Sequence, residues 1–320
     1  KEAFRGDRSP DGGLYVPETV PRLTREEIAD LGNLSENSAV ARLLGLYLGE
    51  EITAWDLDFS VGRRAFRIRE LDRKTILGQC WYNPEGELDY ILKFLSERLG
   101  GGCGFWANIS VKIAVMGMLL SRMEPEETDL AVLSGDFSGV LAGLYLKEMG
   151  FPVGKVICCC NENNSVWELV HLGQLRTDGV CEKTKTPLAD VVLPMGLEHL
   201  LYCLGGEKAA VEYAKYAYMG LTYEPEQNLL RRLQSVLFVG VTSESRLTLT
   251  LTGVLRNYGC LLCTYTAILY AGVQDYRSKA GENRRALLLS ERSPELEADA
   301  ISELLSVPKQ KVREYLSMER

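Results

Sequence analysis

Along the chain, short continuous apolar runs alternate with segments whose apolar residues recur at helical spacing. Residues 130–133 and 153–160 are apolar runs of strand length. Between them lies a small-residue turn, Ser134-Gly135-Asp136-Phe137-Ser138-Gly139, then a segment of helical period to Met149 and a stop at Gly150. This pattern predicts a strand–turn–helix–strand unit with its turn at a helix N-terminus. Free N–H groups and the positive end of the helix dipole gather at such a turn and favour an anion. Capping of the helix by Ser134 or Asp136 is the competing explanation for the same residues.

The rest of the chain follows the same alternation. Thr24 before Arg25-Glu26-Glu27 is a capping-box start, and residues 35–48 carry a helical stripe. Residues 75–81 read as a strand, Asn83-Pro84-Glu85-Gly86 as a turn, and 88–99 as a helix ending at three glycines. Residues 109–123 form an apolar helix expected to be buried. Helices are then predicted over 166–172, 196–204, 207–219, 225–233, 243–258 and 264–278, strands over 235–241 and 286–290, and final helices near Pro294 and Pro308. The whole predicts an α/β fold, a mainly parallel sheet with helices on both faces. Residues 1–65 are expected to form a small N-terminal helical domain and 66–320 the α/β core.

Composition narrows the possible chemistry. The chain has 320 residues, 36 Lys plus Arg and 44 Asp plus Glu, for a formal charge of −8. With no basic stripe, it lacks the electrostatic footprint of a nucleic-acid binder. No apolar run approaches the roughly 20 residues of a membrane helix. The opening residues also lack the apolar centre of a secretory signal, so a cytoplasmic protein is expected. Nine cysteines are present, three of them consecutive (Cys158, Cys159, Cys160), and these are expected to alternate between the two faces of a strand as small core residues. Cys260 and Cys263 have the spacing of half a zinc site but no second pair completes it, and no metal is expected. Cys181 has lysines nearby in sequence, in what is expected to be a flexible loop. His171 and His199 have no partner at metal or catalytic spacing and are expected on exposed or half-buried helix positions.

Five segments, in order, resemble the threonine synthase family of fold-type II pyridoxal-phosphate (PLP) enzymes. Residues 11–17 are similar to its DGGLYVP signature, and Ser134 to Gly139 to its SGNFG phosphate loop. Residues 155–163 resemble the strand and turn that follow, 190–201 a later helical segment, and 257–270 with 287–294 the closing region. The resemblance implies a tryptophan synthase β-like fold and, in intact relatives, PLP-dependent conversion of O-phosphohomoserine to threonine and phosphate. It also implies which residues line the pocket: the turn Ser134, Gly135, Asp136, Phe137, Ser138 and Gly139, with Asn161, Asn163 and Glu291.

Three departures bear on that implication. The family's lysine lies in a segment like ELFHGPTxAFKD, and aligning Pro84 with its proline places Asp89 at the lysine. A carboxylate cannot form an imine, so no catalytic residue carries over and PLP is not expected here. Lys93 stands one helical turn on, with its origin displaced by roughly 6 Å. Second, residues 99–104 pass almost directly into 105–110, which resembles the family's NSINIS segment, so the small PLP domain is expected to be largely deleted. Third, Asp136 and Ser138 replace Asn and Gly of the phosphate loop. The expected function is a non-catalytic binding or regulatory homologue, taking a phosphate-bearing small molecule or a partner. The alternatives are an active lyase, or a new enzyme using Asp89 and Glu291 without PLP. The surface left by the deletion is expected to be repacked, or covered in a homo-oligomer or by a partner protein.

Overall fold

The computed structural model describes residues 2–10, 12–48, 52–57, 66–81 and 86–319, with side chains through 317. The turn residues 83–85, used above to align Asp89, and the end of the proposed N-terminal domain lie outside them. Three helices come first: α1 (Glu2–Arg5), α2 (Arg25–Asn33) and α3 (Glu36–Leu48). The capping box at α2 forms as expected, Glu27 N–H donating to Thr24 Oγ1 and Thr24 N–H to Glu27 Oε2. There follow β1 (Arg67–Asp72), β2 (Thr75–Gln79), α4 (Glu87–Leu99), α5 (Phe105–Ser121), β3 (Thr128–Leu133), α6 (Ser138–Glu148) and β4 (Val153–Cys160). The chain then runs through α7 (Ser165–Leu172), α8 (Leu197–Met219), α9 (Gln227–Val236), β5 (Leu237–Val241), α10 (Glu244–Tyr258) and α11 (Thr264–Ala280). It closes with β6 (Arg285–Ser290), α12 (Ala298–Leu305) and α13 (Lys309–Glu319).

The sheet has the order β1-β2-β6-β3-β4-β5. β1 runs antiparallel to β2 at one edge, and the other neighbours are parallel. Parallel strands covered on both faces must bury successive side chains on opposite sides, which is why they read as unbroken apolar runs. Here Leu130, Val132, Cys158 and Cys160 point to the layer containing α5 and α6. Ala131, Ile157 and Cys159 point to the layer of α10 and α11. The three consecutive cysteines are therefore split between two cores, as their alternation requires.

α5 is the central pillar: from Phe105 to Leu120 only Asn108 and Lys112 are not fully buried. It is enclosed by α2, α3, α4 and α6 of the same chain, so the N-terminal helices and the α/β layer share one continuous core. Truncating one of its buried large apolar side chains to Ala would cost about 2–5 kcal/mol.

Three elements differ from their predicted form. β1 carries Arg67, Arg69, Glu70 and Asp72, and its charges conceal an edge strand that exposes much of its surface. α5 starts four residues earlier than predicted, because Gly104 supplies an extended N-cap before Phe105. α9 extends through Val236 and takes two residues from the strand predicted over 235–241.

Candidate functional site

In an open parallel sheet, the C-terminal ends of the strands and the loops beyond them form the crevice where ligands bind. Here β2, β6 and β3 are neighbours and release their chains on the same edge. The β2 end leads to Gly86, Leu88 and Asp89, the β6 end to Glu291 and Arg292, and the β3 end to Gly135 and Asp136. Together with Asn108, Val111 and Lys112 of α5, and Tyr265 and Thr266 at the start of α11, they line a cavity of about 360 Å³. The loop from β2 to α4 is pinned at its base, Cys80 N–H donating to the Ser290 carbonyl at 2.9 Å and Glu87 N–H to the Cys80 carbonyl at 3.2 Å.

Asn108, Val111 and Lys112 share one face of α5 because they are spaced i, i+3, i+4. That face alone turns from the core to the crevice. Lys112 Nζ donates to Glu291 Oε1 at 2.8 Å, with the lysine side chain 16 % and the glutamate 32 % exposed. Burial alone would lower the Lys112 pKa. The carboxylates of Glu291, Asp136 and Asp89 outweigh it and hold the ammonium above the ordinary lysine range. Arg292, at the rim, pairs with Glu297 at 3.3 Å and lies over the Tyr265 ring. Glu297 also accepts from Thr264 N–H and Oγ at 2.8 and 2.6 Å, so it holds the start of α11.

The Ser134–Gly139 turn sits beside this cavity. Phe137 N–H donates to the Ser134 carbonyl at 2.7 Å, and Phe137 itself adopts the left-handed conformation at φ 73°. A non-glycine residue there is held by its surroundings. Gly196 packs so closely that a methyl group on it would lie 2.7 Å from Phe137 Cβ and from the Phe105 ring. Asp136 Oδ1 accepts from Ser138 N–H at 2.9 Å and from Ser138 Oγ at 2.6 Å. The chain's own carboxylate thus occupies the first amide of α6. Ser134 Oγ is buried without a hydrogen bond of normal geometry among the described residues, although it bears on the Cys160 thiol.

Of the residues named from sequence, Asp89, Gly135, Asp136 and Glu291 meet at the cavity, with Ser134, Phe137, Ser138 and Gly139 packed behind the turn. Asn161 and Asn163 do not join them. Asn161 Nδ2 donates to Asp190 Oδ1, Thr184 Oγ1 and Thr186 Oγ1 at 2.6–3.0 Å, and Asn163 Nδ2 to the Glu182 carbonyl at 2.9 Å. Thr184 closes the knot through its N–H and hydroxyl on Asp190. These amides tie the 182–190 loop to the end of β4. Neither of them caps α7, whose N-cap Asn164 makes no side-chain capping bond. Glu162 of the same turn accepts from Glu244 N–H at 3.0 Å, at the start of α10.

Lys93 does not line the cavity, to which α4 contributes Leu88, Asp89 and Leu92. His171 is exposed and stacks on Trp167, but His199 is fully buried, contrary to the half-buried helix position expected of it. It shares a 2.7 Å hydrogen bond with Tyr145 and stacks on Trp106, and burial lowers its pKa to about 4. Cys181 is exposed in a loop, and slight burial with Asp190 and Glu182 raises its pKa. Cys263 Sγ accepts from Thr266 N–H as the N-cap of α11. Among the described residues no group of three or more His, Cys, Asp or Glu is placed to hold a metal ion, and none of their helices is long and apolar enough to cross a membrane.

Sequence reasoning missed Lys112. An amine does reach this cleft, from a helix read only as buried and apolar. The signal was present: Lys112 is the lone charged residue between Gly104 and Arg122.

Comparison with known proteins sets these features in a family. Residues 1–65 match the family model for the threonine synthase N terminus. Threonine synthase from Eremothecium gossypii is 29 % identical over 108 residues, 33 % of this chain and 21 % of that protein. The curated relatives are therefore matched over only about a fifth of their length. Among solved structures, PLP-bound threonine synthase from Brucella melitensis superposes with TM-score 0.81 at 18 % identity, covering 96 % of this chain and 88 % of that one. Threonine synthase from yeast gives TM-score 0.82 at 14 % identity, covering 99 % and 91 %. The matching N-terminal segment, the curated relatives and the fold-type II architecture shared with these structures all support a likeness of this chain to the threonine synthase family.

Proposed function

We propose that this chain is a threonine synthase-like protein without PLP-dependent catalysis, whose cleft is kept as a binding or regulatory site. The observation that carries this reading is the Asp136 carboxylate on the N–H and hydroxyl of Ser138. A phosphate dianion at that turn would have to displace a covalently tethered carboxylate or face it as a like charge. PLP does not fit these residues for two further reasons. Asp89 stands on the first turn of α4, where the resemblance places the imine-forming lysine, and it adds another negative charge to the cleft. The amine that is present, Lys112, is already paired with Glu291 and stands among three carboxylates, Asp89, Asp136 and Glu291, that would repel an anionic cofactor. Five residues join α4 to α5, too few for the small domain that would close the cleft and exclude water. A 360 Å³ cavity with apolar walls and a few convergent polar groups still matches a small-molecule site.

A second reading, an active lyase, is favoured by one observation, the Lys112 amine in the same cavity as Asp136. The two are separated by incubating the full chain with PLP and O-phosphohomoserine and measuring threonine and phosphate. No product above a protein-free control is expected. Turnover that disappears in Lys112→Arg would establish the lyase and overturn the first reading.

A further inference from the structure

The Lys112 amine and its carboxylate partner point to a chemistry of their own. Among the described residues Nζ is the only lysine nitrogen on the cavity wall, and its stem rises from the buried face of α5. Around it the walls are Leu88, Leu92, Val111, Leu133, Leu269 and Leu289, apolar surface suited to the body of a small organic molecule. We propose that Lys112 captures small, uncharged aldehydes or ketones as a reversible imine, with Glu291 holding the amine in reserve. This goes beyond the proposed function and rests on its view of the cleft as a retained binding site.

The step needs no other reagent. Lys112 releases a proton to solvent, and its nitrogen lone pair forms a bond to the carbonyl carbon while the carbonyl oxygen takes up a proton. The resulting carbinolamine loses water, so that amine plus carbonyl gives imine plus water with no change in oxidation state. Charge selects the ligand. Glu291 beyond β6, Asp136 beyond β3 and Asp89 on α4 act on Nζ, and Arg292 and Tyr265 line the same cavity. Cys80 and Glu87, at the two ends of the β2–α4 loop, are buried nearby. Three carboxylates against two cations disfavour anions, and Arg292 is already engaged by Glu297. Because those carboxylates keep Lys112 protonated at neutral pH, capture is slow there and rises with pH. Removing the Glu291 charge frees the amine at lower pH, by about tenfold for each pH unit its titration falls.

The test uses the full chain, propionaldehyde as probe and cyanoborohydride as trap, followed by peptide mass mapping from pH 7 to 10. Propylation of Lys112 is expected to increase with pH, to be several-fold greater at pH 8 in Glu291→Gln, and to vanish in Lys112→Arg, with circular dichroism confirming each fold. Label confined to exposed lysines such as Lys208, 80 % exposed, would overturn the proposal. So would lower labelling of Lys112 in a folded Glu291→Gln protein. A parallel arm with PLP and O-phosphohomoserine keeps the two readings apart. Threonine formation there would remove the proposed function alone, whereas failure of propionaldehyde at Lys112 would remove this inference alone.

Discussion

Two polar clusters lie on the same edge of the sheet and have opposite character. At the end of β4, Asn161, Asn163, Thr184, Thr186 and Asp190 satisfy one another, and the knot is largely buried. At the ends of β2, β6 and β3, Lys112, Glu291, Asp89 and Asp136 surround an open cavity and share a single ion pair among them. Topology brings side chains to this edge in both places. The difference lies in whether their hydrogen-bonding capacity is used up internally. A closed network rigidifies its loop, while an open one leaves charge for a ligand.

The contrast breaks most sharply at Asp190. Asp190→Ala removes the acceptor for Asn161, Asn163 and the N–H and hydroxyl of Thr184. Leaving the Thr184 N–H without its acceptor, and Asn161, Asn163 and the Thr184 hydroxyl each short of one bond in a largely buried site, is expected to cost about 3 kcal/mol, read as a lower denaturant midpoint at unchanged slope. A loss under 1 kcal/mol would show that the knot is as open to solvent as the cleft.

Titration sharpens the same comparison. His199, in the closed interior, has its pKa lowered to about 4 by burial. The unfolded chain binds this proton near pH 6.5, so stability falls as pH drops from about 6.5 to 4 and is unaffected by this group at higher pH. The full loss approaches about 3 kcal/mol, from 1.36 kcal/mol per unit, and His199→Phe should flatten that limb of the pH–stability curve. An unchanged limb in the variant would place the acid sensitivity elsewhere.

How much of this was legible depends on what each feature is made of. The core strands were readable because burial on both faces leaves an apolar run, and the α6 turn because small residues mark a helix start. β1 was not, since Arg67, Arg69, Glu70 and Asp72 carry the composition of a solvated loop and only pairing with β2 makes them a strand. Asp89, Asp136 and Glu291 were named through the resemblance, and they do converge. Lys112 was not named, because the i, i+3, i+4 face that lifts it out of the core is defined by what packs on α5, not by the helix sequence. Asn161 and Asn163 were sent to the wrong place for a related reason. Strand-end amides can face either a ligand or a loop, and it is the arrival of residues 182–190 that decides.

On the open side, effects are smaller. Lys112→Met deletes the cleft's own ion pair and leaves Glu291, Asp89 and Asp136 unopposed except by Arg292. A cost of about 1 kcal/mol is expected at neutral pH, since both partners keep some solvent. The folded pKa of Lys112 is raised, so this contribution is complete below the ordinary lysine value near 10.4 and is lost as pH rises through the folded pKa. Lys112→Met and the parent should therefore converge in stability at strongly alkaline pH. A constant gap would mean that packing of the lysine stem, not charge, is what the substitution removes.

Asp136→Asn is the gentlest change and the most direct probe of the turn. The amide oxygen of Asn can still accept from Ser138 N–H, so the cap survives and stability should shift by less than about 0.5 kcal/mol. What disappears is the negative charge that an incoming anion meets. If the turn faces the cleft as a potential anion site, inorganic phosphate will raise the melting temperature of Asp136→Asn and leave that of the parent unmoved, because a ligand held only by the native state stabilises it by mass action. Equal, negligible shifts in both proteins would confine Asp136 to helix capping. The barrier to phosphate would then lie in the other carboxylates of the cleft, Asp89 and Glu291, and the same titration in Asp89→Asn would be the measurement that locates it.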